Sequence, residues 1–118
     1  MIQVKNLYKS FDGIAVLKDI NTRFEQGKTN LIIGRSGSGK TVLLKSILGL
    51  FDIDQGEVWY NDKNFVKISR KERKLMRREI GMVFQGGALF DSLSVEANIR
   101  FPLDMFTNKS SKEKQERV

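Results

Sequence analysis

The stretch GRSGSGKT, residues 34–41, matches the pattern G-x-x-x-x-G-K-[ST] at every defined position. Glycines allow backbone torsions that a Cβ forbids, so several N–H groups of such a loop can point at one anion. The lysine adds a positive charge for the β and γ phosphates, and the hydroxyl of the last residue can bind Mg²⁺. The motif therefore predicts a binding site for a nucleoside triphosphate.

The segments on either side of this loop support the motif. Residues 29–33 form a short apolar run without alternation, which is typical of a strand covered on both faces in a parallel sheet. From Thr41 to Leu48 the apolar positions follow helical spacing, and Gly49 is placed to end that helix. Strand, loop and helix in this order predict an α/β P-loop fold. The alternative is a glycine-rich turn that only joins a strand to a helix.

Further elements are predicted outside this unit. Alternating or short apolar runs predict four more strands, at 2–7, 14–23, 56–60 and 80–85. Three serines precede helical patterns and are expected to act as N-caps: Ser69, Ser94 and Ser110. Pro102 is expected to end the second of these helices, because proline lacks the N–H that a helix interior needs.

Composition restricts the chemistry that the chain can carry out. It has 118 residues, the size of one modest domain, and a net charge of +7, which favours polyanionic partners. The absence of cysteine excludes disulfides and thiolate metal sites, and the absence of histidine removes the usual base near pH 7. Carboxylates, lysines, hydroxyls, backbone amides or a bound ion must supply any reactivity.

The order of motifs along the chain resembles that of ABC-type ATPases. The resemblance extends from Ile2 to about Leu103, and the segments that carry it are NLYKSF (6–11), VLKDI (16–20), the loop at 34–41, GEV (56–58) and GMVFQ (81–85). It implies an N-terminal antiparallel β region followed by part of a parallel core sheet with flanking helices. Residues 1–118 would then be the N-terminal portion of one ATP-binding domain, with ATP and Mg²⁺ as its cofactors.

The resemblance also implies roles for individual residues. Phe11 matches an aromatic position that stacks on adenine in the family, with packing inside the β region as the alternative. Gln85 corresponds to the family's Q-loop glutamine, and together with Thr41 it is expected to bind the metal. The predicted nucleotide-binding residues are Phe11, Gly34, Arg35, Ser36, Gly37, Ser38, Gly39, Lys40, Thr41 and Val42.

Three catalytic parts of ABC ATPases do not occur in the sequence: the signature motif, the Walker B strand ending in Asp-Glu, and the switch histidine. In the family these parts follow the region that the chain resembles. We therefore expect the chain to be about the first half of the domain, shortened by cloning or proteolysis. Such a chain is expected to bind nucleotide without hydrolysing it, with Gln85 only an accessory to catalysis. Strands without partners would favour self-association.

Residues 85–93, QGGALFDSL, and FPL at 101–103 resemble most the Mla-type ATPases, which work with Mce-domain proteins in lipid transport at the bacterial inner membrane. This branch implies a permease that docks near Gln85–Phe101, a second ATPase subunit as a homodimer partner, and a location on the cytoplasmic face of the inner membrane. A solute importer or a soluble ABC protein is the alternative within the family.

Two functions of other classes compete with this interpretation. Residues 67–78 contain seven basic residues and one acid, as a nucleic-acid-binding module or an anionic-lipid patch would. We prefer a solvated helix face, because no aromatic residue is interleaved with these charges and no specific nucleic acid is expected. A P-loop kinase would need an acceptor pocket and a lid with arginines, neither of which the sequence indicates.

Overall fold

The computed structural model describes residues 1–118. Its strands are β1 (Ile2–Phe11), β2 (Ile14–Phe24), β3 (Gln55–Tyr60) and β4 (Lys63–Asn64). Its helices are α1 (Lys40–Ile47), α2 (Arg70–Arg77), α3 (Val95–Phe106) and α4 (Ser111–Arg117). The chain divides into two compact units, Met1–Gly81 and Met82–Val118.

The first unit is built on a four-stranded antiparallel sheet in the order β2-β1-β3-β4. Asp12 and Gly13 connect β1 to β2 with φ angles of 49° and 78°, as a tight hairpin turn requires. Val4, Leu7 and Val58 point inward, where each is at most 1% exposed. Val4 and Leu7 reach the same face because the register shifts between them, at Asn6 with φ 45°. The predicted antiparallel β region is therefore present, and β1 extends four residues beyond its predicted end.

Helix α1 covers one face of this sheet. Its residues Leu43 and Ile47 join Leu7, Leu17 and the other buried apolar residues of the sheet in one core cluster. Gly49 ends the helix in the left-handed region, with φ 66°, and its N–H donates to the Ser46 carbonyl at 3.1 Å. This confirms the predicted end of the helix.

Two segments expected to form strands, 29–33 in a parallel sheet and 80–85, are not strands in this structure. Leu31 and Ile33 are 81% and 86% exposed, and Phe84 makes only an isolated bridge to Gly87. A parallel strand needs hydrogen bonds from neighbouring strands and apolar cover on both faces. Within residues 1–118 these segments receive neither, so an apolar run alone does not form a strand here.

The second unit consists of α3, α4 and the turns before them. Ser94 and Ser110 cap the two helices as predicted, and Ser110 forms a full capping box with Glu113. The prediction that Pro102 ends α3 is wrong, because the helix continues to Phe106. Proline there removes one backbone donor, so the helix continues past Pro102 with one internal hydrogen bond fewer. No helix of either unit has the length and apolar character needed to cross a membrane.

Candidate functional site

The loop at residues 34–39 takes left-handed backbone torsions, which favour glycine, at Gly37 and Gly39. At Gly34 a Cβ would lie 2.5 Å from Ser38 Oγ, so a side chain there would displace the serine hydroxyl. Gly39 has φ 96°, and a Cβ there would lie 3.1 Å from Leu17 Cδ2 and 3.2 Å from Val16 Cγ1. The loop therefore packs tightly against β2 and folds closely on itself.

Backbone donors at the start of α1 lie next to this loop. Gly39 is the N-cap, and the first bond of the helix runs from the Leu43 N–H to the Gly39 carbonyl at 2.8 Å. The N–H groups of Lys40, Thr41 and Val42 precede that bond and have no acceptor within the helix. They lie at the positive end of the helix dipole, so this is an arrangement that can bind an anion.

The side chain of Lys40 turns back over the loop. Its Nζ donates to the carbonyl oxygens of Gly34 and Arg35, both at 2.7 Å. These two bonds hold the ammonium at the loop rather than in open solvent. The positive charge and the free amides of α1 therefore belong to the same small region.

Phe11, the last residue of β1, is paired with Ile14 across the hairpin turn. Two residues further along β2, Val16 lies against Gly39 of the loop. With about 3.3 Å per residue along a strand, Phe11 and the loop are separated by roughly 10 Å, the scale of a nucleoside. The Phe11 side chain is 36% exposed, so a part of its ring is open to solvent.

Sequence reasoning missed the residues that contact Phe11. Its ring makes a T-shaped contact with Phe51, with 5.2 Å between centroids, and Lys9 Nζ lies 5.0 Å from its centroid. Pairing of β1 with β3 brings residues 51–54 to Phe11. The only sequence signal was an aromatic residue in the short connection after α1.

Gln85, the predicted Q-loop residue, belongs to the second unit. It lies in the exposed turn between Phe84 and Gly87, which form a bridge. The first unit contains all the other predicted site residues.

The predicted permease-docking segment carries exposed apolar side chains on an ordered backbone. Leu89, Val95 and Ile99 are 73%, 78% and 54% exposed, and they line a groove of about 350 Å³. Asn98 holds the turn before α3: its Oδ1 accepts from the Phe90 N–H at 2.8 Å, and its Nδ2 donates to the Phe90 carbonyl at 3.1 Å. The apolar surface is thus prearranged by local bonds.

In the basic run 67–78, Arg73 and Arg77 interact with other parts of the first unit. The Arg73 guanidinium donates to the Val66 carbonyl and lies 5.5 Å from the Phe65 ring centroid. Arg77 Nη1 donates to the carbonyl of Gly49 at 3.1 Å, beyond the end of α1. These contacts fasten α2 to the rest of the first unit, which supports a structural role for part of the basic run.

Comparison with known protein families identifies the family of this chain. A family model described as ABC transporter matches residues 17–118. The chain belongs to the ABC transporter family. The resemblance seen in the sequence is therefore confirmed.

Two curated relatives illustrate the range of the family. The chain is 43% identical over 102 residues to the spermidine/putrescine import ATP-binding protein PotA of Fusobacterium nucleatum, covering 86% of this chain and 26% of the relative. It is 38% identical over 109 residues to the intermembrane phospholipid transport system ATP-binding protein MlaF of Haemophilus influenzae, covering 92% of this chain and 41% of the relative.

Solved ABC structures share the fold. A dimeric ATP-binding cassette, MJ0796, in a post-hydrolysis state bound to ADP and Pi, superposes with a TM-score of 0.88 at 31% identity. The match covers 99% of this chain and 53% of that structure. The predicted fold class, a P-loop ABC-type ATPase domain, is confirmed. The chain spans about half of the solved cassette and less than half of these curated relatives.

Proposed function

We propose that loop 34–41 and the first turn of α1 bind the phosphates of ATP or ADP with Mg²⁺. One observation carries the proposal: a tightly curved glycine loop, free amides of a helix N-terminus and the Lys40 ammonium occupy one region. The solved cassette bound to ADP and Pi, which shares this fold, supports it.

Each predicted residue has a role in this proposal. Residues 34–39 contribute backbone N–H groups, Lys40 contributes charge to the β and γ phosphates, and Val42 contributes its amide. The hydroxyl of Thr41 and the side-chain amide oxygen of Gln85 are hard oxygen ligands of the kind that Mg²⁺ prefers. Phe11 offers a ring face for adenine stacking.

We propose that residues 1–118 act as the N-terminal portion of one ATP-binding domain and that the whole protein hydrolyses ATP to drive transport. The chain itself is expected to bind nucleotide without turnover. Hydrolysis needs a base or carboxylate to position the attacking water and a group that stabilises charge on the γ phosphate. The signature motif, Walker B strand and switch histidine, which supply these in the family, are not in its sequence.

Lipid transport at the bacterial inner membrane is the transport function that we propose. It is supported by the segment 85–103 and by the similarity to the phospholipid transport protein MlaF. In this proposal a permease docks on the groove near Gln85–Phe101 and holds the protein at the cytoplasmic face, and a second copy completes an ATPase dimer. Solute import is the second candidate, favoured by the similarity to the polyamine importer PotA.

Calorimetric titration tests nucleotide binding directly. Mg-ATP should bind the wild type, Lys40→Ala should weaken it at least tenfold, and the exposed lysine variant Lys18→Ala should bind like the wild type. Phosphate release by the chain should stay at background in all three proteins. Equal ATP binding by wild type and Lys40→Ala would overturn the proposal, and release that depends on Lys40 would contradict the lack of turnover.

The transport function is tested in the complete transporter. Stimulation of ATP hydrolysis by phospholipid and not by polyamine would support lipid transport, and the reverse would support import. A cross-linker placed at Ser92 should trap the permease, whereas one at Lys18 should not. If the cross-linker at Ser92 traps no permease while the cross-linker at Lys18 does, docking on the groove is contradicted.

A further inference from the structure

The ring of Phe11 has two close neighbours. Phe51 makes a T-shaped contact with it, with 5.2 Å between centroids and an angle of 74° between planes. The ammonium of Lys9 lies over the ring, 5.0 Å from its centroid. With both contacts in place, Phe11 is still 36% exposed.

Lys9 is itself fixed by Asp54, which begins the turn into β3. Lys9 Nζ lies 3.4 Å from Asp54 Oδ1, and the other carboxylate oxygen accepts the Ser10 N–H at 2.6 Å. That backbone bond, aided by Lys9, lowers the pKa of Asp54, so the carboxylate stays ionised at neutral pH. The charge that holds Lys9 is therefore present under ordinary conditions.

Phe51 also contacts the helix that follows the phosphate loop. Lys45, in the last turn of α1, places its Nζ 5.3 Å from the Phe51 ring centroid. Contacts thus lead from α1 through Phe51 to the ring at the end of β1. Phe51 therefore contacts both the helix that presents the amide donors and the aromatic ring at the hairpin.

We propose that Phe51 is a positioning residue for base recognition, which holds the partly exposed Phe11 ring for stacking with the purine of a bound nucleotide. Lys9, tied to Asp54, supports the same orientation. The inference rests on the proposed nucleotide site at residues 34–41. A ring that is already oriented loses less rotamer entropy when a base stacks on it, so the contact favours nucleotides over phosphates without a base.

The test compares ATP with inorganic tripolyphosphate, both with Mg²⁺, by calorimetric titration. Phe51→Ala should weaken ATP binding by about 3- to 10-fold, the effect of losing one aromatic pair, and leave tripolyphosphate binding unchanged. Phe51→Tyr keeps the ring and should restore the wild-type ratio of the two affinities. Leu50→Ala, a neighbouring exposed apolar residue, is the matched control and should behave like the wild type.

The outcomes separate this inference from the proposed function. If ATP binding is absent in the wild type or insensitive to Lys40→Ala, the nucleotide site itself is wrong. If Lys40→Ala and Phe11→Ala both weaken ATP but Phe51→Ala keeps the wild-type ratio, the positioning role is overturned. An equal loss of affinity for ATP and for tripolyphosphate in Phe51→Ala would also overturn the positioning role, since Phe51 would then act through the stability of the fold.

Discussion

Residues 1–81 and residues 82–118 are stabilised by different means. Every buried apolar side chain of the chain lies in the first unit: Val4, Leu7, Leu17, Leu43, Ile47, Leu48, Val58 and Phe65. In the second unit no residue is buried, and helices α3 and α4 are held by caps, the Asn98 bonds and ion pairs such as Lys114 to Asp104 at 2.9 Å. The first unit depends on contacts distant in sequence, and the second on local bonds.

This difference corresponds to the two proposed roles. A phosphate loop needs donors fixed in place, and packing of Gly39 against β2 provides that rigidity. A docking surface needs apolar side chains that remain open to a partner, and Leu89 and Val95 are exposed in this way. The unit with the core carries the proposed binding site, and the unit without one carries the proposed interface.

The largest expected effect comes from a matched pair of leucines. Leu7→Ala removes a side chain that is 0% exposed and should lower the free energy of unfolding by about 2–5 kcal/mol. Leu89→Ala, at 73% exposure, should change it by less than about 0.5 kcal/mol. Urea unfolding followed by the fluorescence of the single tryptophan, Trp59 in β3, measures both variants. Similar losses would mean that the two units do not differ as described.

A second test uses pH within the first unit. Burial raises the pKa of Tyr60 to about 12, and its hydroxyl donates to the Ile47 carbonyl at 2.8 Å. Because the pKa is raised above its ordinary value near 10, the protonated form stabilises the fold below pH 10, and this contribution is lost as pH rises from 10 to 12.

The free energy of unfolding should fall by about 1–2 kcal/mol over this range. This is less than the raised pKa alone would give, because solvent screens a partly exposed ring. Stability curves of wild type and Tyr60→Phe between pH 8 and 12 isolate the effect from other titrating groups. The variant should have a shallower decline above pH 10, and parallel curves would contradict the role of burial.

The smallest expected effect comes from the two capping boxes, which use the same bonds in different units. Ser69 and Ser110 each accept from the N–H of a glutamate three residues later. Ser69→Ala should lower the free energy of unfolding by about 1 kcal/mol, because α2 is fastened to the core by Arg73 and Arg77. Ser110→Ala should leave the Trp59 transition unchanged and speed amide exchange only in α4. An equal shift of that transition by both variants would show that α4 supports the first unit.

Local patterns in the sequence were sufficient for much of the fold and of the candidate site. The hairpin turn at Asp12-Gly13, the glycine that ends α1 and all three serine caps depend on neighbouring residues, so their sequence patterns determine them. The phosphate loop belongs with these features, since its glycines, lysine and threonine lie within eight positions. The sequence wrongly predicted that α3 ends at Pro102. The loss of one backbone donor there did not end the helix, which continues to Phe106.

Contacts between distant segments could be decided only by the tertiary structure. The run 29–33 has the composition of a buried strand, yet no neighbour pairs with it, because pairing is a property of two segments and not of one. Arg73 and Arg77 appeared as part of a basic run, and only packing shows which carbonyls they satisfy. Phe51 reaches Phe11 because β3 returns alongside β1, bringing together residues 40 positions apart. The sequence by itself therefore determined the proposed phosphate loop, and the tertiary structure decided which side chains hold the ring proposed for the base.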